Sequence, residues 1–236
     1  MARLLRVLVV IALALAVLPV GAQQAPSGAD RVRERYTKYE FRIPMRDGAR
    51  LFTSVYVPKD TSKRYPFLVT RTPYSVGPYG IDAYRASLGP SEQFQESGFI
   101  FVYQDARGRY MSEGEFKQVR PHVPVKRGPE DVDESSDMHD TVDWLLDNVP
   151  THNGRVGLVG VSQPGFHVAA SIIDAHPALK AASPQAPISD WFIGDDFRHN
   201  GALFLPHAFN FFARFGRAKA EPGTVEGAVF DHGTPD

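Results

Sequence analysis

The sequence predicts an α/β domain with a mostly parallel sheet and an antiparallel hairpin at its start. Three observations carry that reading. Apolar residues alternate with polar ones on both sides of Asp47-Gly48, the pattern of a two-stranded hairpin with a turn-forming dipeptide. Phe67 to Thr70, Phe99 to Tyr103 and Val156 to Val161 are near-continuous apolar runs, as in strands covered on both faces. Between and after these runs the apolar spacing changes to that of a helix.

Taken in order, the chain opens with Arg3 and Arg6 followed by an apolar stretch from Val7 to Val20. That stretch falls short of the roughly 20 residues a membrane-spanning helix needs. Val20-Gly21-Ala22 supplies small residues for cleavage, so residues 1–22 read as a signal peptide, which implies export and no stable membrane insertion after removal. An uncleaved N-terminal anchor is the alternative. Residues 23–35 read as a flexible leader. The hairpin follows, with Tyr39, Phe41 and Ile43 on one arm and Leu51, Thr53, Val55 and Val57 on the other. Over 132–149 the residues Met138, Val142, Leu145, Leu146 and Val149 share a helical face, with the acidic residues opposite. After the strand at 156–161 a second helix would bury Phe166, Ala169, Ala170 and Ile173. These elements place an α/β core at 36–194. From 195 to 236 the composition shifts. Ala202 to Phe215 is rich in Phe and Ala and reads as helical pieces interrupted by Pro206.

Composition narrows the chemistry. The chain has 236 residues, with 26 Lys+Arg against 27 Asp+Glu, 8 His and no Cys, and a pI near 6.7. A near-neutral chain lacks the basic footprint of a nucleic-acid binder. Without cysteine there is no disulfide, thiol nucleophile or thiolate metal site. His-Glu-x-x-His is absent, and the acidic stretch 130–140 reads as a solvated helix start rather than a calcium loop. Gly157, Gly160 and Gly165 have the wrong spacing for a dinucleotide fingerprint. No cofactor or metal is expected.

Gly160-Val161-Ser162-Gln163-Pro164-Gly165 lies between the buried strand and the second helix, the context of a nucleophile elbow. A serine in such a sharp turn needs small neighbours and projects its Oγ above the sheet. The N–H of Gln163 opens the helix, where backbone partial charge favours an oxyanion. Pro164 falls in the first turn, where its missing N–H costs little. A plain strand-to-helix turn is the alternative for the hexapeptide alone.

Further motifs agree with the elbow. Ile43-Pro44-Met45-Arg46-Asp47-Gly48, Arg71-Thr72-Pro73-Tyr74, Gln104-Asp105-Ala106-Arg107-Gly108-Arg109-Tyr110 with Ser112-Glu113-Gly114, the Ser162 hexapeptide, His176-Pro177-Ala178-Leu179-Lys180 and Gly194-Asp195-Asp196 occur in that order. Together they resemble the CocE/NonD hydrolases, a group that includes α-amino-acid ester hydrolases, glutaryl-cephalosporin acylases, cocaine esterase and Xaa-Pro dipeptidyl-peptidases. The resemblance covers about residues 36–215. It implies an α/β-hydrolase core and, at 195–236, the beginning of a helical cap. The rest of the cap, the late sheet strands and a C-terminal β-sandwich have no counterpart in this sequence.

The resemblance also implies roles. Ser162 matches the nucleophile, and Tyr74 the tyrosine whose hydroxyl joins a backbone N–H, here that of Gln163, in the oxyanion hole. Asp196, beside Asp195, matches a member of a carboxylate cluster that binds a substrate α-ammonium group. Each has a plainer alternative: a structural hydroxyl for Tyr74, and a solvated helix-capping pair for the two aspartates. No residue matches the family's catalytic His or Asp. Of the eight histidines, His139 is expected to be exposed, His167 to point away from Ser162, and His176 to be structural. Two functional readings follow. One is an exported serine hydrolase cleaving an ester or amide of a small acyl or α-amino-acyl substrate through an acyl-enzyme. The other is a truncated, catalytically incompetent fragment or a non-catalytic binding module of the same fold.

Overall fold

The computed structural model describes residues 26–215, so the expected signal peptide and the tail 216–236 lie outside the described residues. In chain order the elements are α1 (Gly28–Arg35), β1 (Tyr36–Pro44), β2 (Arg50–Pro58), β3 (Tyr65–Thr72), α2 (Glu92–Ser97), β4 (Ile100–Asp105), α3 (Glu134–Asn148), β5 (His152–Val161), α4 (Gln163–Ser171), β6 (Leu179–Gln185), the two-residue strands β7 (Arg198–His199) and β8 (Ala202–Leu203), and α5 (Leu205–Phe215). Six strands form one sheet in the order β1-β2-β4-β3-β5-β6. The hairpin β1-β2 is antiparallel, β2 meets β4 antiparallel, and β4, β3, β5 and β6 run parallel. Strand β5, which leads to Ser162, is thus internal, and β6, largely exposed, ends the described sheet.

Strand alternation sorts the core into two clusters on opposite faces. On β2, Leu51, Val55 and Val57 join Phe67, Val69, Ile100, Val102, Met138, Val142, Leu145, Val156, Leu158 and Val168, the side taken by α3 and α4. Phe52 and Tyr56 point the other way, into a cluster with Val32, Tyr36, Leu68, Val76, Leu88 and Phe101. Every residue of β2 after Arg50 is buried, because this strand lies between β1 and β4 and is covered on both faces.

Four sequence expectations need correction. First, residues 28–35 are not a flexible leader. They form α1, whose N-terminus is closed by a capping box in which Ser27 accepts from the Asp30 N–H and Asp30 accepts from the Ser27 N–H. Val32 is fully buried by this helix. Second, the acidic start of α3 is not solvated: Asp133, Glu134 and Asp137 are all buried. Arg107 donates to Asp137 at 2.6 Å and to Asp47 at 2.6 Å, Arg71 to Glu134 at 3.2 Å, and Lys126 approaches Asp133 at 3.0 Å. Third, the buried face of α4 is Gln163, His167 and Ser171 with Gly165 and Val168, while Ile173 lies beyond the helix and is exposed. The polar side chains win the inner face because α3 presents Glu134 there: His167 bonds its carboxylate, and Ser171 Oγ, which donates to the His167 carbonyl at 2.6 Å, lies 3.3 Å from the Glu134 carbonyl. Fourth, 205–215 is one helix, with Pro206 in its first turn, where a missing N–H is harmless.

Two measurements test this account. Val32→Ala should lower the unfolding free energy by about 2 kcal/mol through lost burial, and Asp30→Ala should lower it by less through lost capping, both read by denaturant melts. A loose leader would leave both values unchanged. The second test concerns Asp133. Burial raises its pKa, but the N–H groups of Val123 and Ser136 and the Lys126 ammonium outweigh burial and hold it below the usual carboxylate range. A lowered folded-state pKa stabilises fully above the unfolded value of about 3.9 and is lost as pH falls below it. Asp133→Asn should therefore cost about 2 kcal/mol at pH 7, and the gap to wild type should narrow on acidification toward pH 2.

Candidate active site

Ser162 follows the last residue of β5 and caps α4, with φ 63° and ψ −125°. A non-glycine residue in this region is strained by roughly 1–3 kcal/mol. The turn is held by the Ser162 N–H donating to the Gln185 carbonyl at 2.9 Å, and by the Phe166 N–H donating to the Ser162 carbonyl at 2.9 Å. The flanking glycines are sterically required. A Cβ on Gly160 would lie 2.3 Å from the Pro164 carbonyl oxygen, and one on Gly165 would lie 2.4 Å from that of Gln185. Six residues therefore fold as a tight strand-to-helix turn that leaves Ser162 exposed.

Gln163 is the first residue of α4, so its N–H has no acceptor within the helix. Its side chain is buried, and its Oε1 accepts from Gln118 Nε2 at 3.0 Å, which ties the long 106–133 connection to the elbow. Tyr74 lies just past the end of β3, which pairs directly with β5 in parallel. Counting on from Val69 opposite Leu158 brings Thr72 level with Val161, so Tyr74 and Ser162 emerge at the same end of neighbouring strands. The loop is fixed by the Tyr74 N–H donating to Thr72 Oγ1 at 3.1 Å and by buried Arg109 donating through Nε to the Pro73 carbonyl at 2.9 Å.

Ser162 opens into a cavity of about 510 Å³ lined also by Ala186, Pro187, Ser189, Asp190, Ile193, Gly194, Asp195 and Asp196. The structure thus brings three of the sequence-selected residues, Ser162, Asp195 and Asp196, into one cavity, whereas Tyr74 stands outside its lining. Asp195 accepts from the backbone N–H of Ser189 and from its hydroxyl. Asp196 is pushed above its usual range by burial and by the neighbouring Asp195, with His207 pulling the other way. A cation placed between these carboxylates would relieve that repulsion. Asp190 was not selected from the sequence. Its Oδ1 accepts from the N–H groups of Phe192 and Ile193, so it shapes the wall. Its position after Ser189 in a Gly/Pro-flanked loop carries no motif.

The described histidines are engaged elsewhere. His167, buried as well as turned from Ser162, bonds Glu134 at 2.8 Å through Nδ1. His139 is half-buried rather than exposed, lies 3.2 Å from an Asp143 carboxylate oxygen through Nδ1, and packs edge-on against His176. His122 pairs with Asp133 at 2.9 Å, and His152 bonds the Leu146 carbonyl at 3.0 Å. His199 packs on Phe204 and His207 on Phe197. No histidine hydrogen-bonds Ser162 Oγ among the described residues. Two clusters have the ligand types of a cation site, His139-Asp143-His176 and His122-Asp133-Asp174. In the first, His176 Nδ1 accepts from the Ala178 N–H at 3.0 Å, so its proton sits on Nε2 and points at Asp143. A metal on Nε2 would need that proton on Nδ1, facing another N–H. In the second, the Lys126 ammonium already lies 3.0 Å from Asp133 and 2.7 Å from Asp174.

Comparison with known proteins agrees with this geometry. Residues 47–222 match the family model described as X-Pro dipeptidyl-peptidase (S15 family). Cocaine esterase of Rhodococcus sp. (strain MB1 Bresler) is 31% identical over 174 residues, which are 74% of this chain and 28% of that protein. Among solved structures, a selenomethionine-labelled α-amino acid ester hydrolase superimposes with TM-score 0.70 at 36% identity, covering 89% of this chain and 34% of the other. An aminopeptidase from the marine sediment archaeon Thaumarchaeota archaeon gives TM-score 0.72 at 31% identity, with the same coverage of 89% and 34%. The chain spans about a third of the length of these relatives. A strand-to-helix serine turn on this sheet, matched over three quarters of the chain, places the protein in the X-Pro dipeptidyl-peptidase (S15) family of CocE/NonD-like hydrolases.

Proposed function

We propose that this chain carries the nucleophile of an exported serine hydrolase that cleaves an ester or amide of a small acyl or α-amino-acyl substrate. The observation that carries the proposal is Ser162, held at φ 63° between two glycines that admit no Cβ and opening into a cavity with Asp195 and Asp196. In this reading Ser162 Oγ attacks the scissile carbonyl as its proton passes to a general base, which returns it to the leaving group. The Gln163 N–H and the Tyr74 hydroxyl stabilise the oxyanion, and the carbonyl re-forms as the leaving group departs, giving an acyl-enzyme that water hydrolyses. Asp195 and Asp196 favour a substrate whose acyl part bears an ammonium group.

A second observation favours a restricted form of this reading. Five of the described histidines pair with groups other than Ser162, and none of the described histidines hydrogen-bonds its Oγ, so in this reading the base that activates Ser162 comes from outside residues 26–215. If that base lies beyond the chain, the 236-residue chain alone is nearly incompetent. It retains the residual catalysis of an oxyanion hole and binding, about 10³–10⁴ over water.

The test is acylation by p-nitrophenyl acetate, followed by nitrophenolate release and intact mass. The 236-residue chain should acquire one acetyl group slowly, on Ser162, and Ser162→Ala should not. Tyr74→Phe should slow acylation by about 10²–10³ with little change in apparent KM, because the phenol proton meets charge that exists only in the tetrahedral intermediate. A structural hydroxyl predicts the reverse: a lower Tm and an unchanged acylation rate. Rapid turnover by the short chain would mean that one of its own histidines acts as base. Export is tested separately. Material from the envelope of the native host should begin at Gln23, and retention of Met1 would exclude cleavage after Ala22.

A further inference from the structure

The two oxyanion donors named above sit on different elements, Tyr74 beyond the end of β3 and Gln163 at the start of α4. Their separation decides whether both reach one oxygen, and a displacement of about 1 Å can cost 10²-fold in rate. Backbone pairing between β3 and β5 sets the strands but not the tilt of α4 or the path of the 73–76 loop. A link between α4 and the β3 side would hold the two at that separation.

Glu134, the first residue of α3, lies between them and is buried. From the β3 side, Arg71 donates through Nη1 to the Glu134 carbonyl at 3.0 Å and to its carboxylate at 3.2 Å. From the α4 side, His167 reaches the same carboxylate oxygen at 2.8 Å; Ser171 Oγ donates to the His167 carbonyl at 2.6 Å and lies 3.3 Å from the Glu134 carbonyl. Arg71 is itself locked by Gln104, whose Oε1 accepts from Arg71 Nε at 2.9 Å. Burial alone would raise the Glu134 pKa, but His167 and Arg71 hold it well below the usual range, so the carboxylate accepts and His167 Nδ1–H donates. His167 Nε2 is buried without a partner, which leaves the Glu134 contact as the polar purpose of this side chain.

We propose that His167 is a positioning residue for the oxyanion hole. Through Glu134 and Arg71 it completes a buried brace between the strand that leads to Tyr74 and the helix that begins at Gln163. Arg71 stands three positions before Tyr74 in Arg-Thr-Pro-Tyr, and His167 one helical turn after Gln163 on the same buried face. The brace therefore ends close to both donors. A purely packing role would be filled by a ring without nitrogen, and a histidine in its place would gain nothing from an orphaned Nε2. The proposal rests on the reading of Ser162, Tyr74 and Gln163 given above.

The experiment compares His167→Phe, His167→Asn and His167→Gln in the 236-residue chain, each with and without Tyr74→Phe. Asparagine puts an N–H close to where Nδ1–H stood; glutamine puts its N–H near Nε2 instead. His167→Phe should slow Ser162 acetylation about tenfold at unchanged apparent KM, and His167→Asn should recover most of that loss while His167→Gln does not. With Tyr74→Phe already in place, His167→Phe should cost less than about twofold, although the two losses in Tm add. An equal cost in both backgrounds, or equal rates for the Asn and Gln variants, overturns the brace. Should wild type acetylate no faster than Ser162→Ala, the nucleophile reading fails, and amide hydrogen exchange in Ser162→Ala decides the brace alone. Faster exchange confined to residues 72–76 and 162–166 in His167→Phe, reversed in His167→Asn, supports it. Exchange that rises uniformly over the sheet overturns it. If His167→Phe does not fold, the Asn and Gln variants carry the same comparison.

Discussion

The first turn of α4 is pressed against β5 and β6 so closely that one methyl group has no room at Gly160 or Gly165. This close approach fixes the rest of the site. With the helix seated that low, the chain between Val161 and Gln163 has no slack, and Ser162 takes up a backbone conformation that side chains avoid. The cost of that residue, of order 1–3 kcal/mol, is offset by the parallel pairing of β5 on both sides. The same seating directs the Gln163 N–H outward at the C-terminal end of the sheet, where Tyr74 and the aspartates also gather.

Buried charge is the second organising feature. Arg71, Arg107, Glu134 and Asp137 are all nearly inaccessible, and Arg107 joins the turn of the β1-β2 hairpin at Asp47 to the start of α3 at Asp137. Desolvation consumes much of the attraction in such pairs, so their contribution to net stability is modest. Their contribution to geometry is larger. An unpaired charge at any of these points would cost several kcal/mol, and alternative packings of the loops are excluded by that penalty. Asp105 works the same way: its carboxylate accepts from the Val76 N–H and the Tyr79 hydroxyl, anchoring the loop that follows Tyr74.

Much of this was legible in the sequence. The hairpin, the buried strands and the serine turn announce themselves through local signals: period-two alternation, continuous β-branched and aromatic runs, and glycine at fixed offsets. The helix α1 did not, because its capping box is written in small polar residues that also compose linkers, and its one buried contact is Val32. The inner face of α4 misled for a different reason. Amphipathic reasoning assigns His167 and Gln163 to solvent, and their actual partners, Glu134 and Gln118, are distant in sequence. The acids of α3 failed on the same ground, since the arginines that admit them to the interior come from β3 and the loop after β4. At the site, Ser162 and Gln163 were readable from the turn itself, and Asp195 and Asp196 from the family likeness. Asp190 is visible only once the chain has folded back over the serine.

The strand order carries a consequence for how the molecule is built during synthesis. The hairpin β1-β2 can close as soon as it emerges, and β5 and β6 each find a finished neighbour in β3 and β5. β3 alone has none, because the strand that joins it to the hairpin is β4, which arrives only after the connection 73–99 has been made. Through that interval both edges of Phe67-Leu68-Val69 are open. The turn-rich stretch that separates β3 from β4 is thus also the delay line of the fold, and its length sets how long the nascent sheet stays in two pieces.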